Sequence, residues 1–352
     1  MRIGLLTSGG DAPGMNAAIR TIVVTGQSEG HEVVGIPNGY IGLLEGKSRS
    51  LDMTDVQGIS SFGGTILGTA RSDKFREADG YKLALQRLGE LKLDGLIVVG
   101  GNGSLTGAHQ LATAEICQVI GVPASIDNDI GHCGLSIGVD TAVNTIVEAC
   151  DRISDTARSH RRAFLVEVMG RQCGFLAMRA GVAAEADVIL YGEEDRDEAS
   201  IILRIRKVLQ NSFAPGSSKQ RVLIVKSESV DIPTYKLVRR VKEHLTVDAP
   251  GVELRTTILG HVVRGGRPSA MDRVIAQRLA YAATLACGHG ATDVMMSWQA
   301  PDDYGQETPD PYVRVVPLAD MIDETAKMMN GTSAILKKRI KLLRKVEDIL
   351  GM

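Results

Sequence analysis

The sequence predicts an α/β protein whose parallel sheets carry helices on both faces. Three observations point there. Short β-branched runs alternate with longer stretches of helical period, as in successive βαβ units. The short runs are almost continuously apolar, as strands covered on both faces are. Glycine, at 39 of 352 residues, collects directly behind several of these runs, where backbone turns tightly or approaches a ligand.

In chain order, the apolar runs predict strands over 2–7, 32–36, 95–99, 119–122, 164–168, 188–190 and 222–226. Apolar residues at helical spacing predict helices over 15–25, 81–91, 105–116, 141–156 and 200–209. Residues 299–312, with three prolines and several acids, predict a loop, and the tail from 320 a helix. The basic run Lys337-Lys338-Arg339-Ile340-Lys341 lacks interleaved aromatics and predicts a solvated face rather than a nucleic-acid surface.

Composition narrows the function. Hydrophobic residues at 44%, charged residues at 23% and a net charge of -2 argue against disorder and against nucleic-acid binding. The longest apolar runs, such as 96–99, fall far short of a membrane span. The N-terminus enters strand-like sequence with no leader pattern. Five cysteines without CxxC spacing suggest reduced thiols. A cytoplasmic protein is expected.

Three loops behind predicted strands carry the chemistry. In the first, 8–16, Gly9 and Gly14 have P-loop spacing, but Met15-Asn16 stands where Lys-Ser/Thr is required. In the second, 100–104, Gly101, Gly103 and Gly107 miss the dinucleotide spacing by one residue. The third, 123–129, holds Asp127 and Asp129, which can divide proton acceptance and metal contact between them. A tight βα turn explains one such loop; three in succession point to phosphate. Phosphoryl transfer asks the protein mainly for positioning and charge stabilisation. Guanidinium forks are at hand in Arg71, Arg76, Arg161, Arg162 and Arg171 and in the segment 260–266.

The segments Thr7-Ser-Gly-Gly-Asp-Ala-Pro-Gly-Met-Asn16, 63–71, 100–104, Ile126-Asp-Asn-Asp129, Glu167-Val-Met-Gly-Arg-Gln-Cys-Gly174 and Leu259-Gly-His-Val-Val-Arg-Gly-Gly266 closely resemble the 6-phosphofructokinases, in order from residue 2 to about residue 300. The resemblance implies two Rossmann-like three-layer α/β/α domains with largely parallel sheets, 1–138 plus about 263–311 for nucleotide and 139–262 plus about 312–352 for sugar phosphate. It also implies an active site between the domains and a homotetramer in which a neighbouring subunit completes the sugar-phosphate pocket.

By the same resemblance, Asp127 is the general base toward the sugar 1-hydroxyl, and Asp129, with Asn102, faces Mg2+. Gly10 and Arg71 steady the transferred group, with Arg171 also in the catalytic set. Tyr40, Ser72, Arg76, Asn102, Gly103, Ser104 and Gly107 fall on nucleotide positions. Ser125, Met169, Gly170, Arg171, Glu228, His261 and Arg264 fall on sugar-phosphate positions, and Arg162 and Arg255 reach across from the adjacent subunit. Pyrophosphate-using relatives carry aspartate and lysine where Gly103 and Ala124 stand, so ATP is the implied donor and fructose 6-phosphate the implied acceptor.

Two departures matter. Asn102 replaces the family's aspartate near the metal, which weakens the local negative field. Effector-site arginines fall on Val24, Met53 and Ser154, with Arg20 retained, so a weak response to ADP or phosphoenolpyruvate is expected. The alternatives are a pyrophosphate-dependent or altered-sugar kinase and a non-catalytic regulatory paralogue. A NAD-dependent oxidoreductase fails on the glycine spacing.

Overall fold

The computed structural model describes residues 1–194, 196–300 and 304–350, with side chains to 346. They form two compact units, Met1–Thr141 with Arg264–Lys327, and Ala142–Val263 with Met328–Met352. Among the described residues the strands are, in chain order, β1 (Arg2–Ser8), β2 (Glu32–Ile36), β3 (Arg49–Leu51), β4 (Gly95–Gly100), β5 (Gln118–Pro123), β6 (Ala163–Val168), β7 (Val188–Leu190), β8 (Val222–Ser227), β9 (Leu254–Ile258), β10 (Val294–Trp298), β11 (Gln306–Glu307) and β12 (Val313–Pro317).

The first unit is built on an eight-stranded sheet of order β11-β12-β10-β5-β4-β1-β2-β3. The five inner strands β10, β5, β4, β1 and β2 run parallel, and β3, β12 and β11 join antiparallel at the edges. Ile3, Leu5 and Leu6 of β1 are fully buried, as covering by helices on both faces requires. Helix Met15–Ser28 buries Ile19, Ile22 and Val23 and packs along helix Ala270–Gly288. On the opposite face, Leu105, Ala108 and Leu111 of helix Asn102–Ala112 join Leu6, Leu96, Val98 and Met295 in one apolar cluster. The chain goes from β1 to β2 on one side and returns to place β4 on the other. The reversal puts a crevice beyond the carboxyl ends of β1 and β4, where such sheets bind ligands.

The second unit has a four-stranded, wholly parallel sheet of order β7-β8-β6-β9. Leu165, Leu190, Ile224 and Leu254 share a cluster with Ile205 and Leu209 of helix Glu198–Ser212 and Leu237 and Val241 of helix Thr234–Asp248. The alternate residues Val166, Ile189, Leu223 and Val225 are equally buried. Helix Phe175–Ala183 packs against β7 and β8 and approaches Ile189 so closely at Gly181 that a Cβ would sit 2.7 Å from its Cγ1. Three layers result.

All seven predicted strands and five predicted helices are present within a few residues. The exchange of units that sequence reading put near 311/312 falls at 327/328, because β12 pairs antiparallel with β10 and keeps 313–317 in the first sheet. The predicted 299–312 loop contains β11, and its residues 301–303 lie outside the described residues. The tail forms helices Leu318–Met329 and Ala334–Leu350, interrupted at Gly331 with φ 74°. In the basic run, Lys337, Lys338 and Lys341 are exposed, whereas the Arg339 guanidinium lies 5.0 Å from the Phe175 ring centroid. Among the described residues no helix is long and apolar enough to cross a membrane, and none of the five cysteines is joined in a disulfide.

One buried carboxylate joins two helix starts of the first unit. Ser269 caps helix Ala270–Gly288 by accepting from Asp272 N at 3.1 Å. The fully buried Asp272 carboxylate then accepts from Gly138 N (2.8 Å), Thr141 N (2.7 Å) and Thr141 Oγ1 (2.5 Å), capping helix Val139–His160. Desolvation outweighs these donors and raises the Asp272 pKa above the ordinary carboxylate value. The folded state therefore binds the proton more tightly than the unfolded chain. The associated stability is present below the ordinary carboxylate range and is lost as pH rises through the raised value. Asp272→Asn should cost about 1–3 kcal/mol at neutral pH, since an amide nitrogen then faces buried donors. Urea titrations at several pH values should show the variant's stability falling less steeply with pH than that of the parent.

Candidate active site

The carboxyl ends of three neighbouring strands lie level. Ser8 pairs in register with Gly100, and Gly100 with Pro123. Each strand runs into one of the three loops singled out in the sequence. Two of these loops lead into helices, Met15–Ser28 and Asn102–Ala112, whose cap residues are Gly14 and Gly101. Neither cap supplies a side-chain hydrogen bond, and neither helix has an acid in its first turn. Their leading N–H groups and positive dipole ends are therefore suited to an anion.

The first loop is held from outside. Gly9 adopts φ +93°, and its carbonyl accepts from Thr69 Oγ1 at 2.9 Å. The buried Asn16 donates from Nδ2 to Phe62 O (3.1 Å) and Gly63 O (3.2 Å) and accepts Ile66 N on Oδ1 (2.8 Å). These bonds fix 62–69 against the loop, two residues before the exposed Arg71. At Gly10 an added Cβ would lie 2.9 Å from Arg264 Nη1. Glycine thus leaves room for a guanidinium that also stands 3.8 Å from Asp127 Oδ2.

In the third loop, Ser125 Oγ donates to Asp129 Oδ1 (3.0 Å) and accepts Asp127 N (3.3 Å). Asn128 between the two aspartates is fully buried in the left-handed region, φ 51°. Its Nδ2 donates to Gly134 O (3.1 Å) and its Oδ1 accepts Ser136 N (3.0 Å), while Ser136 Oγ donates to Ser125 O (2.6 Å). The Asp127 carboxylate is thereby held in a nearly water-free position beside Arg264, and Asp129 stays half-buried. No cluster of three or more His, Cys, Asp or Glu suited to enclosing a metal occurs among the described residues. The residues that the resemblance places at a cation are the half-buried Asp129 and Asn102, one carboxylate and one amide. Such a sparse set fits Mg2+, which keeps several waters and is bound through one or two carboxylates together with phosphates.

At the second loop, Gly103 is exposed, and a Cβ there would meet only Arg76 Nη2, at 3.9 Å. Ser104 is buried, and its carbonyl accepts from Tyr40 OH at 2.6 Å. Tyr40, placed by resemblance at the nucleotide, is itself only 4% exposed. It stacks on Phe75 at 4.1 Å, and burial pushes its phenol pKa far up. Gly107 permits this packing, since a Cβ would lie 2.9 Å from Phe75 Cε1. Ser72 caps the short helix Asp73–Arg76 by accepting Phe75 N at 3.2 Å. Tyr40, Gly107 and Ser72 therefore shape the loop from beneath.

In the second unit, Met169, Gly170 and Arg171 form the turn behind β6. Gly170 has φ +151°, and a Cβ would lie 2.2 Å from Cys173 O, so the turn requires glycine. Glu228, behind β8, accepts Gly170 N (3.0 Å) and Arg171 N (2.7 Å) on one oxygen. His261 is exposed in the short turn behind β9. Arg162 and Arg255 are not brought to this end. Arg255 pairs in register with Phe164, four residues before β6 ends at Val168, which at roughly 3.3 Å per residue puts it about 13 Å from that end of the strand. Glu253 ties the two arginines together, accepting Arg162 Nε (2.8 Å) and Arg255 Nη2 (2.8 Å). Its bonds to Arg255, with Arg162 beside it, lower its pKa below the usual carboxylate value. Asn16, Thr69, Asn128 and Glu253 were not singled out in the sequence as site residues; only their positions within or beside quoted motifs could have drawn attention to them.

A family model described as phosphofructokinase matches residues 2–287. The ATP-dependent 6-phosphofructokinase of Thermotoga petrophila is 42% identical over 298 residues, 85% of this chain and 90% of that protein. The ATP-dependent 6-phosphofructokinase 1 of Thermus thermophilus is 44% identical over 295 residues, 84% of this chain and 88% of that protein. The structure of phosphofructokinase from Saccharomyces cerevisiae superposes with a TM-score of 0.84 at 30% identity over 97% of this chain, which spans half the length of that one.

Replacing Asn128 separates backbone conformation from side-chain bonding. Asn128→Ala should lower stability by about 2–3 kcal/mol, combining left-handed strain with lost buried hydrogen bonds. Asn128→Gly, which tolerates the same φ, should recover about 1 kcal/mol of that loss in thermal denaturation.

Proposed function

The chain belongs to the phosphofructokinase family, and from that premise we infer that it transfers the terminal phosphoryl group of ATP to the 1-hydroxyl of fructose 6-phosphate. The observation that carries the reading is the level alignment of Ser8, Gly100 and Pro123, which gathers two anion-ready helix starts and the Asp127–Arg264 pair at one end of one sheet.

Asp127 takes the proton from the sugar 1-hydroxyl as the oxygen attacks the phosphorus. Its burial leaves few waters to compete for the carboxylate, and the Arg264 guanidinium stands 3.8 Å from it. Gly10 and Arg71 steady the phosphoryl group in transfer, with Arg171 as a further cation, and backbone amides of the first two loops hold the donor's phosphates. Asp129 and Asn102 would hold Mg2+, which when bound neutralises phosphate charge. Nucleotide contacts fall to Ser104, Gly103, Arg76 and the loop that Tyr40, Ser72 and Gly107 support. An aspartate at Gly103 would stand beside Arg76 and compete with a phosphate for its guanidinium. Glycine there, with the small, buried Ala124, favours ATP over pyrophosphate.

Ser125, Met169, Gly170, Arg171, Glu228, His261 and Arg264 bind the sugar phosphate. Arg162 and Arg255, at the amino end of their sheet, serve a neighbouring copy in a homotetramer, and Glu253 presets their forks. The enzyme works in the cytoplasm.

A coupled assay on fructose 6-phosphate should show turnover with ATP and little with pyrophosphate. Asp127→Asn should lower kcat roughly 10²–10⁴-fold with KM values little changed; a variant as fast as the parent would refute the assignment. Asn102→Asp should lower the magnesium concentration giving half-maximal rate. Superimposable magnesium titrations of the two proteins would exclude a metal-tuning role for Asn102.

A further inference from the structure

Beside Glu228, the second unit contains a cleft of about 410 Å³, a size suited to a small ligand. Glu167, Lys226, Glu228, Asp231 and Thr234 supply charged and polar parts of its lining. In β8, Lys226 directly follows the apolar run Val222-Leu-Ile-Val225, yet its side chain is only 1% exposed. A buried ammonium needs partners. Its Nζ donates to Glu167 Oε2 (3.1 Å) and to Ser227 O (3.2 Å), and the same Glu167 oxygen accepts from Thr234 Oγ1. An ammonium carries three donors, so one N–H is left beyond these two bonds. The other oxygen of Glu167, whose side chain is 19% exposed, takes no part in them. One wall of the cleft thus sets a donor beside an acceptor, the pairing that reads a hydroxyl group, which both donates and accepts.

Charge decides which part of a ligand enters. Three carboxylates, Glu167, Glu228 and Asp231, face one ammonium in this lining, and Arg162, Arg255, His261 and Arg264 are not part of it. A phosphate is repelled there and an uncharged polyol is not. A buried ion pair also adds little stability over apolar residues of similar size, so packing alone gives no reason for a lysine in this strand.

We propose that the Glu167–Lys226 pair binds the uncharged, hydroxylated part of the sugar phosphate and determines which sugar the enzyme accepts. The inference rests on the functional reading above. It is tested with Lys226→Met and Glu167→Gln, comparing fructose 6-phosphate with its C4 epimer, tagatose 6-phosphate, as acceptors. Thermal melts confirm folding, and calorimetry measures sugar-phosphate binding without turnover. Each variant should raise the KM and Kd for fructose 6-phosphate about tenfold, move the kcat/KM ratio of the two epimers toward one, and leave the KM for ATP unchanged. Glu167→Gln keeps an oxygen for Lys226 and Thr234, so it carries the test if Lys226→Met does not fold. A folded variant that retains the parental epimer ratio overturns the proposal, whatever its KM. A parent protein that neither binds nor phosphorylates fructose 6-phosphate removes the functional reading, and this inference with it, before any variant is compared.

Discussion

The register of three parallel strands is the constraint on which the rest of the first unit depends. Pairing of Ser8 with Gly100 and of Gly100 with Pro123 ends β1, β4 and β5 at one height. A slip by one residue would also exchange the two helix-covered faces of the slipped strand and misfit the side chains packed on each, so close packing enforces the alignment that the loops use. Gly100 shows how little slack remains. A Cβ there would lie 2.6 Å from Ser8 O and 2.7 Å from Ser104 Cβ, so strand and following helix approach only because that position is bare.

Around this frame, loop backbone is held by side chains rather than by further secondary structure. Asn16 fixes the approach to Arg71, Asn128 sets the turn between the two aspartates, and Glu228 holds the amides of Gly170 and Arg171. Dipoles fixed before substrate arrives need not reorganise during the reaction, and much of enzymatic charge stabilisation comes from that. The same residues link fold and chemistry, because each satisfies backbone groups of the loop it holds.

Much of this was legible in the residues themselves. β1, β4, β5 and β8 lie in nearly unbroken apolar runs, and the sequence located them almost to the residue. β9 was not found, because Leu-Arg-Thr-Thr-Ile is an edge strand with most of its residues exposed or half-exposed, and β10 was not, because Val-Met-Met-Ser-Trp is poor in β-branched residues. The phosphate loops were visible through glycine spacing and paired aspartates. The Glu167–Lys226 pair was invisible, since its members lie 59 residues apart and meet only through the register of β6 with β8. Tyr40 shows the limit of motif matching, because its place in the chain does not reveal that the ring is packed beneath the loop.

The first unit is assembled from two stretches of chain, 1–141 and 264–327, while the intervening segment supplies most of the second. On a ribosome the chain emerges from its amino end, and domains generally fold as units during synthesis. β1 to β5 therefore appear long before β10 and β12, and helix Met15–Ser28 long before the helix Ala270–Gly288 that covers it. For more than a hundred residues of translation, the nascent first unit presents an open sheet edge at β5 and an uncovered apolar helix face. Segment 142–263 meanwhile brings out all four strands of its own sheet. The half of the protein that begins first thus completes its sheet only after every strand of the second has emerged, and its exposure to chaperones and to aggregation during biosynthesis is set by the length of the insertion between its two pieces.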